Sequence, residues 1–302
     1  MKNRTLLAVA ALAASVLALA GCSGSGSNDP ATGRVQVVAS TNVYGSIAKE
    51  VGGSYVDVGS MISSYSQDPH EFQASAQDRL LVQRAGLLIE NGGGYDPFLD
   101  DLAKTAGTKA PVITAVKLSP EYPTDGKLDG FNEHVFYDPG VMAKVADEIA
   151  AELGKLDAAH ASAFTANAKT FGAGITKMEG DLATVASAHS GKGVFVTEPL
   201  PLYLTEAAGL VNKTPAAFSE AVEGGRDVPP ATLLEAMSLI GSGHVQLVIT
   251  NAQAAGAESS QVEAKATAAK VPTLRFSELV PDGKTYLTWM QGNVDELAKA
   301  LG

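Results

Sequence analysis

The stretch from Pro139 to about His189 constrains the fold more than any other part of this 302-residue chain. It carries no strand pattern, only helix, while short β-rich runs alternate with helical patterns on both sides of it. "DPGVMAKVADEIAAELGKLD" begins at a proline suited to a first helical turn. After a break from Gly154 to Asp157, Phe164, Phe171, Ile175, Met178, Leu182 and Val185 recur at helical spacing. A stripe that long has to be buried along its whole length. The sequence therefore predicts a helix lying between two bodies and packing on both.

The flanks have a common rhythm. Ahead of the helical stretch, residues 34–41, 55–62, 85–91 and 110–115 read as strands. Helix patterns fall near 43–51 and 75–84, the second with Ser75 as its cap. "GGGYDPFLDDLAKTAG" is a turn followed by a helix whose first turn carries Asp96. Beyond His189, residues 193–199, 245–251 and 273–278 read as strands, and "PPATLLEAMSLIGSG", "ESSQVEAKATAAK" and "NVDELAKAL" as helices. Such alternation builds βαβ units. The expected class is α/β: two α/β lobes with mainly parallel sheets, joined by one long helix. No repeat relates the two halves.

The first residues read as an export signal. Lys2 and Arg4 precede an apolar run from Leu6 to Ala20 that is short for a spanning helix. Its end, Leu19-Ala20-Gly21-Cys22, resembles the bacterial lipobox, where the signal is cut ahead of a cysteine that is then lipidated. Cys22 is the sole cysteine, so no internal disulfide can form. "SGSGSNDPATG" follows as a Gly/Ser leash. The expected division is a signal peptide over 1–21, the lipidated cysteine and linker over 22–33, an N-terminal α/β lobe over 34–138, a helical connection over 139–189, and a C-terminal α/β lobe over 190–302. Loss of Lys2 and Arg4 with the signal leaves 20 basic against 33 acidic side chains, a net charge of −13. That balance argues against a nucleic-acid partner and against electrostatic adhesion to an anionic bilayer.

Open α/β sheets bind ligands beyond the carboxyl ends of their strands. His70 lies in the loop after the second expected strand, and His134 in the loop after the fourth. Glu198 directly follows "VFVT", and Glu278 directly follows "TLRFS". Two imidazoles from one lobe and two carboxylates from the other would face one cleft. Around a divalent cation they sum to zero charge, so the cluster can be buried without an uncompensated ion. Mixed nitrogen and oxygen donors suit manganese, iron or zinc better than calcium or magnesium. Each residue also has an ordinary structural reading. A histidine beside a proline is commonly a turn or capping residue, and a glutamate at a strand end is commonly solvated or caps the next helix.

The stretch "DPHEFQAS" also approaches the zinc-protease pattern H-E-x-x-H, but Ala74 stands where the second histidine belongs. A secreted metallohydrolase with Glu71 as general base would need an open metal position, which four protein ligands close. "SGKG" near residue 191 lacks the spacing of a phosphate loop. A surface adhesin lipoprotein would need no closed metal site at all. His160, His189 and His244 read as structural, His189 being favoured by a helix C-terminus.

Four ordered segments, "DPHEFQAS", "EHVFYDP", "VTEPLPLYLTEAAGL" and "SELVPDGKTYLTWM", resemble the signatures of the cluster A-I family, the substrate-binding lipoproteins of zinc and manganese ABC importers. The resemblance runs from "VVASTNVYGSIAKEVGG" to the C-terminal helix. It implies metal ligands at His70, His134, Glu198 and Glu278, the last where aspartate is commoner. Ala74 and Gln67 depart from the usual proline and glycine of the first signature. Asp68 and Glu133 stand beside the histidines, either as partners fixing the imidazole tautomers or as exposed loop carboxylates. The resemblance further implies one long rigid helix near 159–188 between the lobes. The partners are an ABC permease, through it a cytoplasmic ATPase, and the cell membrane through the lipid on Cys22. The expected protein is a lipid-anchored extracytoplasmic monomer without enzymatic activity. Zinc-specific members often carry a histidine-rich loop ahead of the second ligand; "KLSPEYPTDGKLDGFNE" has none, and with only two imidazoles among the four ligands the cargo leans toward manganese or iron.

Overall fold

The computed structural model describes residues 33–302 apart from 66, 68, 70, 71 and 255. Cys22, His70, Asp68 and Glu71 thus lie outside the described residues.

The strands are β1 (Val35–Thr41), β2 (Val56–Ile62), β3 (Leu87–Glu90), β4 (Val112–Thr114), β5 (Gly193–Val196), β6 (Val211–Asn212), β7 (Leu247–Asn251) and β8 (Thr273–Phe276). They form two sheets ordered β2-β1-β3-β4 and β6-β5-β7-β8, parallel throughout. In β3, β5 and β7 every residue is buried, as expected of strands covered on both faces. In each sheet the chain leaves the inner pair of strands in opposite directions. The carboxyl ends of β1 and β3, and of β5 and β7, therefore flank the crevice where such sheets take ligands.

The helices are α1 (Asn42–Gly52), α2 (Ala76–Arg84), α3 (Pro97–Ala106), α4 (Pro139–Leu156), α5 (Ala161–His189), α6 (Leu202–Ala207), α7 (Ala216–Glu223), α8 (Pro230–Leu239), α9 (Ala257–Ala269) and α10 (Tyr286–Leu301). Local chemistry sets several of their starts. Ser75 and Asp78 form a reciprocal capping box on α2. Asp138 accepts from the Val141 amide at the head of α4, where Pro139 occupies the first turn. Among the described residues no helix is long and apolar enough to cross a membrane.

Helix α5 has 29 residues and runs about 43 Å at the α-helical rise. Phe164, Phe171, Ile175, Met178, Leu182 and Val185 are all buried, so the periodic stripe is its packed face. One continuous core runs from Val37 and Ile89 of the first sheet, through that stripe, to Val196 and Ile249 of the second. The bridging role read from the sequence is realised in this shared core.

Some elements differ from expectation. Helix α10 begins seven residues before "NVDELAKAL", at Tyr286, because Thr285 and Thr288 cap it and Tyr286, Trp289 and Met290 are buried against the core. Burial there overrides the weak helical preference of an aromatic and β-branched run. Asp96 stands just ahead of α3 and turns back, accepting from the Asn91 and Gly92 amides at 2.7 Å each. The two-residue β6 and the short α6 and α7 carry too little periodicity to read from sequence.

Candidate metal centre

The first sheet supports its side of the site through the β3–α3 turn, which carries Tyr95 and braces the backbone ahead of His134. Gly92 has a positive φ of 76°, and a Cβ there would lie 2.4 Å from Thr114 Cγ2, so the tight turn requires glycine. Asp96 holds the turn from below. Asn91 is fixed by the Tyr44 hydroxyl, which donates to its Oδ1, and its Nδ2 donates to the Glu133 carbonyl at 2.9 Å. That bond places the backbone immediately before His134.

His134 is completely buried, edge-on to the rings of Tyr95 and Phe136. Asn132 Oδ1 accepts from the His134 backbone N–H at 3.1 Å and lies 2.8 Å from Nδ1. Asn132 Nδ2 donates to the Pro199 carbonyl at 3.0 Å, which settles its amide orientation. An oxygen facing Nδ1 can only accept, so Nδ1 carries the proton and Nε2 is the acceptor nitrogen of the ring. The residue that fixes this tautomer is Asn132, two positions from the histidine and not singled out in the sequence.

The second sheet contributes the carboxylates. Glu198 follows β5 and Glu278 follows β8, and they are 3% and 1% exposed. Between them stands Asn251, the last residue of β7, itself 4% exposed. Its Nδ2 donates to Glu198 Oε2 and to Glu278 Oε1, both at 2.7 Å. Its Oδ1 accepts from the Gln253 amide at 3.0 Å. The Tyr95 hydroxyl reaches across to donate to Glu278 Oε2 at 2.9 Å. Burial, and next the Glu278 charge, push the Tyr95 phenol well above its ordinary value, so it remains a donor.

The two lobes meet through further polar contacts. Gln253 accepts from the Glu278 amide at 3.0 Å and donates through Nε2 to the Tyr65 carbonyl at 2.9 Å. Tyr65 and Phe72 bound the segment that contains His70, and Phe72 packs on Phe98. Asn42 exchanges two hydrogen bonds with the Val280 backbone, at 2.8 and 3.0 Å. Tyr203 donates to the Asn132 carbonyl at 2.7 Å.

Of the expected site residues, His134, Glu198 and Glu278 converge where the two sheets face each other. Tyr95 links them, touching the His134 ring with its own and Glu278 with its hydroxyl. One acidic residue joins them unforeseen: Glu223, at the end of α7, whose Oε1 lies 3.9 Å from His134 Nδ1. Glu133, His134 and Glu223 each offer a ligand atom within 4.8 Å of the others. Burial first, then Glu133, Glu198 and Glu278, push the Glu223 carboxyl up to about 8. No strand precedes Glu223, so inspection of strand ends passes it over. His160, in contrast, bonds Asp157 at 2.6 Å and stacks on Tyr55, a structural role.

A family model described as "ZnuA: Zinc-uptake complex component A periplasmic" matches residues 37–300. The manganese-binding lipoprotein MntA of Bacillus subtilis is 28% identical over 166 residues, which is 54% of this chain and 54% of that one. The chain thus spans about half the length of that curated relative. Among solved structures, the periplasmic zinc binding protein TroA from Treponema pallidum superposes with a TM-score of 0.75 at 16% identity, covering 89% of this chain and all of that one. The laminin binding protein Lmb of Streptococcus agalactiae, described as a bifunctional protein with adhesin and metal transporting activity, gives a TM-score of 0.74 at 23% identity, with 89% and 100% covered. At those identities the structural likenesses establish the fold.

Proposed function

Because this chain belongs to the ZnuA family of zinc-uptake complex component A proteins, we propose that it captures a divalent transition metal outside the cytoplasmic membrane and passes it to an ABC importer. The cargo is manganese, zinc or iron, held by His70, His134, Glu198 and Glu278 in the interlobe cleft. The observation that carries this reading is the pair of buried carboxylates gathered by Asn251 beside a buried histidine whose Nδ1 faces the Asn132 carbonyl oxygen. Two carboxylates brought together in an apolar interior call for a cation.

In this reading residues 1–21 are a signal peptide, 22–33 the lipidated Cys22 and its leash, 34–138 and 190–302 the two lobes, and 139–189 the connection. The protein works as a lipid-anchored monomer. Its partners are the permease and, through that, the cytoplasmic ATPase. It binds and delivers without catalysing a reaction. Helix α5 limits hinge motion, so release depends on small lobe shifts upon docking.

The test is elemental analysis of the mature protein purified without chelator, with thermal melts after stripping and after adding back manganese, zinc or iron. About one equivalent of metal and a clear upward shift in Tm are expected. The His70→Ala, His134→Ala double variant should lose tight binding and keep the fold. A wild type with no bound metal and no shift would reject the reading in favour of an adhesin. Turnover of an ester or peptide by the metal-loaded protein would favour a metallohydrolase.

A further inference from the structure

Asn251 stands at the end of β7, next to the strand that delivers Glu198, and its orientation is settled from both ends. Oδ1 accepts from the Gln253 amide at 3.0 Å, so both hydrogens of Nδ2 are left for the site. They go to one oxygen of Glu198 and one of Glu278, at 2.7 Å each. Tyr95 holds Glu278 from the opposite side at 2.9 Å. Each donor occupies one lone pair of the oxygen it reaches and fixes the rotation of the carboxylate, so turning to present both oxygens to an ion means giving up a hydrogen bond. Coordination number is what separates the candidate cargoes. Zinc is satisfied by about four donors, whereas manganese suits about six, largely oxygen.

Resting on the metal-binding reading above, we propose that Asn251 is a selectivity-setting residue, which limits each carboxylate to one oxygen and so favours zinc over manganese. The residue acts by positioning Glu198 and Glu278; its amide nitrogen, a donor, does not itself ligate. This weighs against the lean toward manganese drawn from the histidine-free loop before His134 and from the presence of only two imidazoles. Neither the loop nor the imidazole count says how the carboxylates are held.

The test compares the full mature protein with its Asn251→Ala and Asn251→Ser variants. Affinities for ZnCl2 and for MnCl2 are measured separately by chelator competition. X-ray absorption at the zinc edge counts the ligands. Freed carboxylates can chelate, so Asn251→Ala should shift the zinc-to-manganese affinity ratio toward manganese by about tenfold or more. The zinc-edge ligand count should rise with it. Asn251→Ser keeps one hydroxyl donor and should fall between, which preserves the test if the alanine variant does not fold. Equal losses for both metals, with an unchanged ratio and ligand count, would make Asn251 a structural residue and overturn the proposal. A wild type that binds neither metal would overturn the metal-binding reading itself, and this inference with it.

Discussion

Tyr95 and Glu278 are 183 positions apart in sequence, yet the hydroxyl of one donates to the carboxylate of the other at 2.9 Å in the buried interior. Tyr95 belongs to the β3–α3 turn of the first sheet and Glu278 to the end of β8 in the second. The bond therefore spans the two halves at the site itself. In Tyr95→Phe that donor is gone, and a buried carboxylate that loses a donor costs about 1–3 kcal/mol. The Tm of the metal-free protein should fall by several degrees. A bound cation takes over neutralising Glu278, so the loss should be smaller in the metal-loaded protein. Melts of both forms check this; equal losses would mean that Tyr95 supports the fold without regard to the site.

Gln253 couples the two halves by a second route. Its Oε1 accepts from the Glu278 amide and its Nε2 donates to the Tyr65 carbonyl, at 3.0 and 2.9 Å. A shift of the β8 end is thereby transmitted to the loop that runs toward His70. Gln253→Ala should accelerate amide hydrogen exchange across residues 63–75 and speed metal dissociation. Unchanged exchange in that peptide would sink the coupling.

The backbone of this architecture was legible because buried parallel strands and an apolar stripe at helical spacing are periodic signals. "GLLIE", "GVFV" and "QLVIT" announced β3, β5 and β7, and the stripe from Phe164 to Val185 announced α5. The strand-end rule also reached His134, Glu198 and Glu278, since local order alone places a residue beyond a strand. What it could not reach are residues whose roles depend on contacts distant in sequence. Asn132 is one polar residue in a turn until Pro199 fixes its amide. Asn251 reads as the last residue of a strand until Glu198 and Glu278 appear on either side of it. Glu223 ends a helix too short to have been recognised.

Glu223 lies 3.9 Å from Nδ1 of His134, the nitrogen that carries the proton. A carboxylate there makes the imidazole a stronger electron-pair donor to a cation at the far nitrogen. With its carboxyl pushed up to about 8, Glu223 is mostly protonated at pH 7 and charged only above about pH 8, and Glu223→Gln keeps the shape while holding the side chain neutral at every pH. Metal affinity should weaken by about tenfold at pH 9, where the wild type carries the charge, while the metal-free Tm stays level at pH 6 and rises relative to the wild type at pH 9. Titration calorimetry with and without the substitution measures the first effect; an unchanged affinity would assign Glu223 to the surface of the cleft alone.

Glu90, at the end of β3, gives the protein a pH dependence of its own. It is 4% exposed, and burial raises its carboxyl from 4.5 to about 7, only partly offset by the Thr114 hydroxyl that donates to it at 2.8 Å. A raised value in the folded state means that the folded protein holds this proton more tightly than the unfolded chain. The resulting stability is fully present below about pH 4.5 and is lost as pH rises through about 7. The loss amounts to about 3 kcal/mol at one proton. Glu90→Gln stays neutral and can still accept from Thr114, so it should melt higher than the wild type at pH 8 and nearly level with it at pH 4.5. Chemical denaturation of both proteins across pH 4 to 8 measures the difference. Parallel curves over that range would show that Glu90 ionises in the folded protein as freely as in the unfolded chain.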